Sequence, residues 1–436
     1  MENIVSTSNP LERSLELFID RAELTRATDE RIRRMGKNAK IPGFRPGKAP
    51  LSILRQQFGE RARHEALSEA LQKDFHKAVT AQNLNVVALP HIKEKPEANR
   101  ESELAFSAVF EVYPEFTLGD LAGATIERHT LEIGEAEVDQ TIEIFRKQRV
   151  RYAAAERPAA REDRVVVDFL GKKDDKPFQG GEANDYPFVL GRGMMLPAFE
   201  EAVEGMSAGE EKAFDMTFPA DYFARDLAGQ AVRFEVKVKE VMAPSLPEVD
   251  ADFARALGVP DGDLTKMRAE VEGNLKREVK KRLEARVQTQ VMDALLAANP
   301  ISVPRALVEQ ETGRMMRAAE QDMEARGMKA RDYPVQPAWF MEQAKRRVTL
   351  GFIFAKIVQQ ENLQASKEQV RTLIEEAAET YESPQEVVKW YYSDPSRLSD
   401  AETLAVEKNV VAWVLSRANV TEQPIAFDAL MNQPTN

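Results

Sequence analysis

The chain contains no cysteine. That single absence excludes disulfides, thiolate zinc sites, iron–sulfur clusters and a cysteine nucleophile. Histidine is scarce: His64, His76, His91 and His129 are the only four, and they stand at no ligand spacing, so no metal and no cofactor is expected. No run approaches 18 apolar residues, the length a membrane-spanning helix needs. Met1 to Pro10 lacks the succession of basic, apolar and small residues that marks a secretion signal. The expectation is a cytoplasmic protein with no membrane partner.

What is present is enough for several cores. Of 436 residues, 43% are hydrophobic and 30% charged, which argues against disorder; at about 150 residues per domain the chain holds about three. The net charge of −12 conceals an asymmetry, because residues 31–77 carry twelve Lys/Arg against four Asp/Glu. Within residues 31–55 there are eight basic residues and no acidic one. Such a block attracts a polyanion or is simply a solvated face; charge alone does not decide between them.

Up to about Tyr113-Pro114 the pattern is that of a small α+β domain. Leu15, Leu17 and Ile19 alternate as in a strand, and helical stretches follow over about 21–40 and 60–82. Val86 to Leu89 and Leu104 to Val112 read as strands. Residues 115–160 form an arm, with a strand over Ala124 to His129 and a helix opening near Glu135. From Arg164 to Met242 short β-runs punctuated by Gly and Pro indicate a small, mostly β domain, closed by Pro244 and Pro247. Everything after Pro247 reads as helix, over about 263–298, 304–327, 337–361, 366–380 and 396–418. No fixed repeat and no catalytic constellation appear there, so the helices suggest a scaffold or a binding surface. Met315, Met316, Met323 and Met328 offer adaptable apolar contact, although methionines at helical spacing are more often core.

Between the first two helices lies Ile41-Pro42-Gly43-Phe44-Arg45-Pro46-Gly47-Lys48-Ala49-Pro50. Three prolines and two glycines in ten residues forbid a helix and demand a turn-rich loop. It is no phosphate loop: the glycine spacing is one residue short, and Ala49 replaces the required Ser/Thr. It offers an aromatic and two cations on rigid turns, which suits RNA phosphates and a protein surface together. The plainer alternative is an interhelical turn whose Phe44 folds into the core.

At this loop the sequence resembles the bacterial trigger factor family, whose G-F-R-x-G-K motif is met by Gly43, Phe44, Arg45, Gly47 and Lys48. Pro46 stands where some members have a third cation. The resemblance continues in order through Phe110-Glu111-Val112-Tyr113-Pro114, the β domain, and Glu342-Gln343-Ala344-Lys345-Arg346-Arg347-Val348. It implies a multidomain α+β chain: residues 1–115 docking on the ribosome through exit-tunnel protein and rRNA, 116–160 an arm packed on the C-terminal domain, 161–246 an FKBP-type isomerase domain, and an all-α helical chaperone domain over 247–436. Its implied partners are the ribosome and nascent or unfolded polypeptides, kept open for folding or export, with a homodimer left open for the free protein.

The β domain is rich in large apolar residues beside turns: Phe169, Phe178, Phe188, Met195, Leu196, Phe199, Tyr222, Phe223 and Phe234. Read alone, these are core as readily as pocket, Phe188 most of all. The resemblance to FKBP-type isomerases, carried by Phe188-Val189-Leu190-Gly191 and Leu196-Pro197-Ala198-Phe199-Glu200, puts Phe169, Phe178, Met195, Leu196, Phe199, Tyr222 and Phe234 at proline-pocket positions. Phe199 stands where Trp is usual, and Gln179 where Asp is common. Two rival functions are a stand-alone folding isomerase, which leaves the basic block idle, and a non-enzymatic RNA-binding protein, which leaves the aromatic set unexplained.

Overall fold

The computed structural model describes residues 5–432 apart from 7–9, 38, 40, 43, 45–47, 175, 223, 330–333, 380 and 382, and apart from the side chains of 5, 6 and 179. Two compact units divide the chain, Met1–Arg128 with Ala285–Gln423 and His129–Glu284 with Pro424–Asn436.

The first unit opens with a four-stranded antiparallel sheet. Its strands β1 (Val5–Ser6), β2 (Glu12–Asp20), β3 (His91–Glu94) and β4 (Glu103–Glu111) lie in the order β1-β2-β4-β3. Leu15, Leu17 and Ile19 alternate into the core as expected of one buried face, beside Phe106 and Phe110 of β4. Helices α1 (Arg21–Gly36) and α2 (Leu51–Ala81) cover this face, and Phe75 of α2 meets Phe110 edge-on with centroids 5.0 Å apart. Asp20 caps α1 by accepting the Glu23 N–H at 2.8 Å. Helix α2 starts well before Glu60, directly after Pro50, because Leu51 to Phe58 contains neither Gly nor Pro and the helix runs on through Gly59. The strand expected at Val86 to Leu89 is reduced to one bridge, Val86 to Val112; Pro90 cannot donate to a ladder, and pairing resumes at His91.

The sheet also reaches the later helices of its own unit. At the end of β4, Glu111 accepts the backbone N–H groups of Arg305 and Ala306 at 2.9 Å each. These are the first donors of α7 (Arg305–Ala325), so a carboxylate sits on the positive end of that helix.

Strand β5 (Thr125–Thr130) is followed by α3 (Glu135–Gln148), whose Val138 and Ile142 pack on Phe253 and Ala254 of α5 (Ala251–Ala256). Then comes a five-stranded antiparallel sheet of β6 (Arg151–Ala154), β7 (Arg164–Lys173), β8 (Lys176–Val189), β9 (Glu211–Thr217) and β10 (Ala231–Ser245). The path is β6-β10-β7-β8, with β9 paired to β10. The short helix α4 (Pro197–Val203) packs on its inner face.

Strand β6 thus joins the sheet from ahead of residue 161, pairing Arg151–Ala154 with Met242–Ser245. Arg157 also lies ahead of it and donates twice to the buried Asp163, at 2.6 and 2.8 Å. A fragment 150–246 is therefore expected to melt at a higher temperature than 161–246, which lacks the strand and leaves Asp163 without its cation. Equal circular-dichroism midpoints would contradict this.

Long α6 (Leu264–Ala298) contributes residues 264–284 to the second unit and 285–298 to the first. In the first unit Val291 and Leu295 of α6 join Leu121, Ile126, Ile353 and Ile357 of α8 (Met341–Glu361), and Val410 and Val414 of α11 (Pro395–Leu415), in one core. Helix α9 (Lys367–Ala378) packs Val370 and Ile374 on Ala401 and Ala405 of α11, with α10 (Pro384–Tyr392) alongside. The expected helices are present, but residues after 247 also include a strand, β11 (Asn419–Pro424), paired with β5. A final helix, α12 (Phe427–Met431), buries Phe427 and Leu430 against Leu275 and Val279. Among the described residues no helix is long and apolar enough to cross a membrane.

Candidate functional site

The twisted sheet β6–β10 turns one face inward, and alternation along its strands decides what stands there. On β7 these are Val165, Val167 and Phe169; on β10, Val232, Phe234, Val236 and Val238. From the opposite side α4 brings up Phe199. The register of β7 against β8 slips twice, between Val167 and Phe169 and between Leu170 and Lys172. Such bulges bend a strand and re-aim its side chains, here at Phe169 and Gly171.

The seven expected pocket residues come together in this one cluster. Phe199 and Phe234 are its floor, 1% and 5% exposed, with centroids 5.4 Å apart and perpendicular rings. Phe169 leans on both, at 5.4 and 6.0 Å. Phe178 stands 6.0 Å from Phe234 and 6.1 Å from Phe218, which lies 4.6 Å from Tyr222. Phe169, Phe178, Met195, Leu196 and Tyr222 are only half-buried while packed on the core. A buried floor with half-exposed walls is an arrangement that an apolar cleft uses.

Two glycines make room for one wall. A Cβ on Gly171 would lie 2.7 Å from the Phe178 ring and 2.8 Å from Phe234, and one on Gly181 would lie 2.7 Å from Phe178. Any side chain there would push Phe178 out of its seat.

Phe188 belongs to the core instead, fully buried and 6.0 Å from Phe199. Phe223 and the Gln179 side chain lie outside the described residues. Tyr186 is an addition: half-buried, with its ring edge-on to Phe169 at 6.0 Å. Its signal was in the sequence, since Tyr186, Phe188 and Leu190 alternate onto one face. Phe214, partly buried and 5.6 Å from Phe199, was likewise missed.

The other face of the sheet is of a different kind. A hollow of about 340 Å³ there is lined by Asp168, Glu182, Glu211, Lys212, Glu235 and Lys237 among others. Two of its carboxylates are taken up by lysines: Glu235 pairs with the neighbouring Lys172 at 2.6 Å and Glu211 with Lys237 at 2.7 Å. The Asp185 backbone N–H and then Lys239 hold the Asp168 carboxyl below the ordinary range. Phe169, Leu170, Ala213 and Val236 contribute apolar lining among these charges, but the hollow lacks the packed rings of the inner face and gives a prolyl ring less to bury against.

The second candidate surface is the loop after α1. Its feet are anchored, with Ile41 buried beside Ile32, Leu54 and Ala62, and Ala49 and Leu51 packed on them. Phe44 does not fold into that core; it is 40% exposed, its N–H closing a turn on the Ile41 carbonyl at 3.1 Å. Lys48 is exposed as well. Gly43, Arg45 and Gly47 lie outside the described residues.

A third surface is apolar and dispersed over the helices. Trp339 is 64% exposed, and Met341, Trp390, Tyr392, Tyr381 and Leu404 are exposed too. The methionines divide: Met315 is buried, Met316 and Met323 are half-buried and Met328 is exposed.

Known proteins match in the same order. Family models described as "Bacterial trigger factor protein (TF)", "FKBP-type peptidyl-prolyl cis-trans isomerase" and "Bacterial trigger factor protein (TF) C-terminus" match residues 1–145, 155–239 and 263–416. The chain is 59% identical to a "Trigger factor" of Dechloromonas aromatica (strain RCB), covering 99% of this chain and 100% of that one. It is 53% identical to one of Azoarcus sp. (strain BH72), over 99% and 98% of the two chains. A solved structure reported as "Promiscuous Substrate Recognition in Folding and Assembly Activities of the Trigger Factor Chaperone" overlaps 95% of this chain and 99% of its own at TM-score 0.45 and 16% identity.

Proposed function

The chain belongs to the trigger factor family, ribosome-associated chaperones with an FKBP-type prolyl isomerase domain, and from that premise we propose how its residues divide the work. It binds nascent polypeptides at the ribosome and catalyses cis–trans isomerisation of X-Pro bonds. Catalysis belongs to the cleft of Phe169, Phe178, Met195, Leu196, Phe199, Tyr222 and Phe234, with Tyr186 as a further wall. The observation that carries this is the buried Phe199–Phe234 floor beneath half-exposed walls.

Such a cleft needs no nucleophile. Rotation about a prolyl amide is opposed by C–N resonance, a barrier of roughly 18–20 kcal/mol, and takes tens to hundreds of seconds unaided. Water on the amide oxygen favours the planar, more polar form. A dry aromatic cleft removes that water and fits the twisted, less polar transition state better than either planar isomer. Tyr222, at the rim beside Phe218, presents a hydroxyl that steers the peptide.

Docking belongs to Gly43, Phe44, Arg45, Gly47 and Lys48. An exposed ring and cations on a loop with buried feet suit a site shared by exit-tunnel protein and rRNA. The dispersed apolar surface around Trp339 and Trp390 suits unfolded clients, because broad recognition needs adaptable contact rather than a tailored pocket. With ribosomes and nascent chains as partners, the protein's place is the cytoplasm.

Tyr222 tests the cleft. Tyr222→Ala is expected to lower kcat/KM for a short proline peptide by about tenfold or more, and Tyr222→Phe by less, since the ring remains. Wild-type rates in both variants would remove Tyr222 from the site.

A further inference from the structure

Glu200 is the misfit of the cleft. It follows Phe199 on α4 and is only 8% exposed, yet among the described residues it makes no ion pair. A carboxylate out of water is costly, and packing alone would favour Leu or Met at such a position. Its oxygens reach instead to two backbone donors: Oε2 accepts the Gly191 N–H at 2.8 Å and Oε1 the Met195 N–H at 3.1 Å. These are the two ends of the loop that carries Met195 and leads into Leu196. That loop contains Gly191 and Gly193, both at positive φ, so its own backbone preferences restrain it weakly. One turn of α4 therefore faces two ways. Phe199 points to four rings, and Glu200 closes the loop ahead of it.

We propose that Glu200 is a positioning residue for the isomerisation: its carboxylate staples residues 191 to 195, so that Met195 and Leu196 stand as a ready-made wall of the cleft. This rests on the cleft reading above. A preformed wall matters most to the twisted transition state, which both walls must embrace at once, while a ground-state peptide tolerates a mobile one. Loosening the staple should therefore lower kcat more than it raises KM.

The test uses the full chain with Glu200→Gln and Glu200→Ala, and Phe199→Ala beside them. Glu200→Gln keeps the shape but turns an NH2 group toward one of the two N–H donors. Faster amide hydrogen exchange at Gly191 or Met195 is expected, with kcat on a proline peptide down about tenfold and KM within about twofold; Glu200→Ala should go further in both. Faster exchange with unchanged kcat would overturn the proposal, as would unchanged exchange. Loss of the circular-dichroism signal of the domain in both Glu200 variants would assign the carboxylate to folding alone and overturn it as well. A slow Phe199→Ala beside normal Glu200 variants sinks only this inference. A folded Phe199→Ala at the wild-type rate sinks the cleft itself.

Discussion

A chain with Phe44, Arg45 and Lys48 all replaced by Ala is expected to pellet with ribosomes no better than an unrelated protein, while unfolding at almost the wild-type temperature. Phe44 and Lys48 are exposed, and the core beneath them is made by Ile32, Ile41, Leu54 and Ala62, which the changes do not touch. Surface changes of this kind cost within about 1 kcal/mol. Binding loses an aromatic anchor and two cations at once. Where cations meet phosphate, counterion release makes affinity fall with salt by about 0.7 to 0.9 log units per contact and per log unit of salt. Wild-type binding should therefore weaken as salt rises, and an Arg45→Ala/Lys48→Ala double variant should show a flatter dependence. Undiminished co-sedimentation of the triple variant would take the loop out of the interface.

Phe199→Ala is the second large effect, expected to lower kcat/KM for a proline peptide about a hundredfold or more, ~2.7 kcal/mol of transition-state stabilisation. Four rings, Phe169, Phe188, Phe214 and Phe234, lie within 5.4 to 6.0 Å of this one, so its removal unfloors the cleft rather than trimming an edge. The same contacts threaten the fold. A buried Phe→Ala loses about 3–5 kcal/mol, against a typical domain stability of about 5–15 kcal/mol. Circular dichroism must therefore accompany the assay, and Phe199→Leu, which leaves a smaller void, serves as the stable companion with a smaller loss of rate.

The long helices were legible because apolar residues three and four apart need no knowledge of their partners. Strand β8 was legible only at its end. Pro177, Gly180, Gly181 and Pro187 read as breakers, yet β8 pairs on one side only, as an edge strand, and an edge tolerates them. Those interruptions hid Tyr186. Strand β11 carries no pattern of its own; pairing with β5, far away in sequence, makes it a strand. The start of α2 was misplaced because the Pro-Gly loop drew the boundary too far along the chain. Phe188 and Phe199 look alike as letters and are equally buried; only the fold shows which rings each one touches. Glu200 gave no signal at all, since a buried carboxylate differs from a solvated one only in its neighbours.

Central to this division of labour is that catalysis sits in the aromatic cleft and client protection in the helices' apolar surface. One measurement on one folded sample of full-length Phe199→Ala tests it: isomerisation of a proline peptide beside suppression of aggregation of a proline-poor unfolded protein. Isomerisation at or below about one hundredth of the wild-type rate, with suppression unchanged, is the predicted result. Isomerisation at the wild-type rate, or the loss of both activities together from a folded protein, would contradict it.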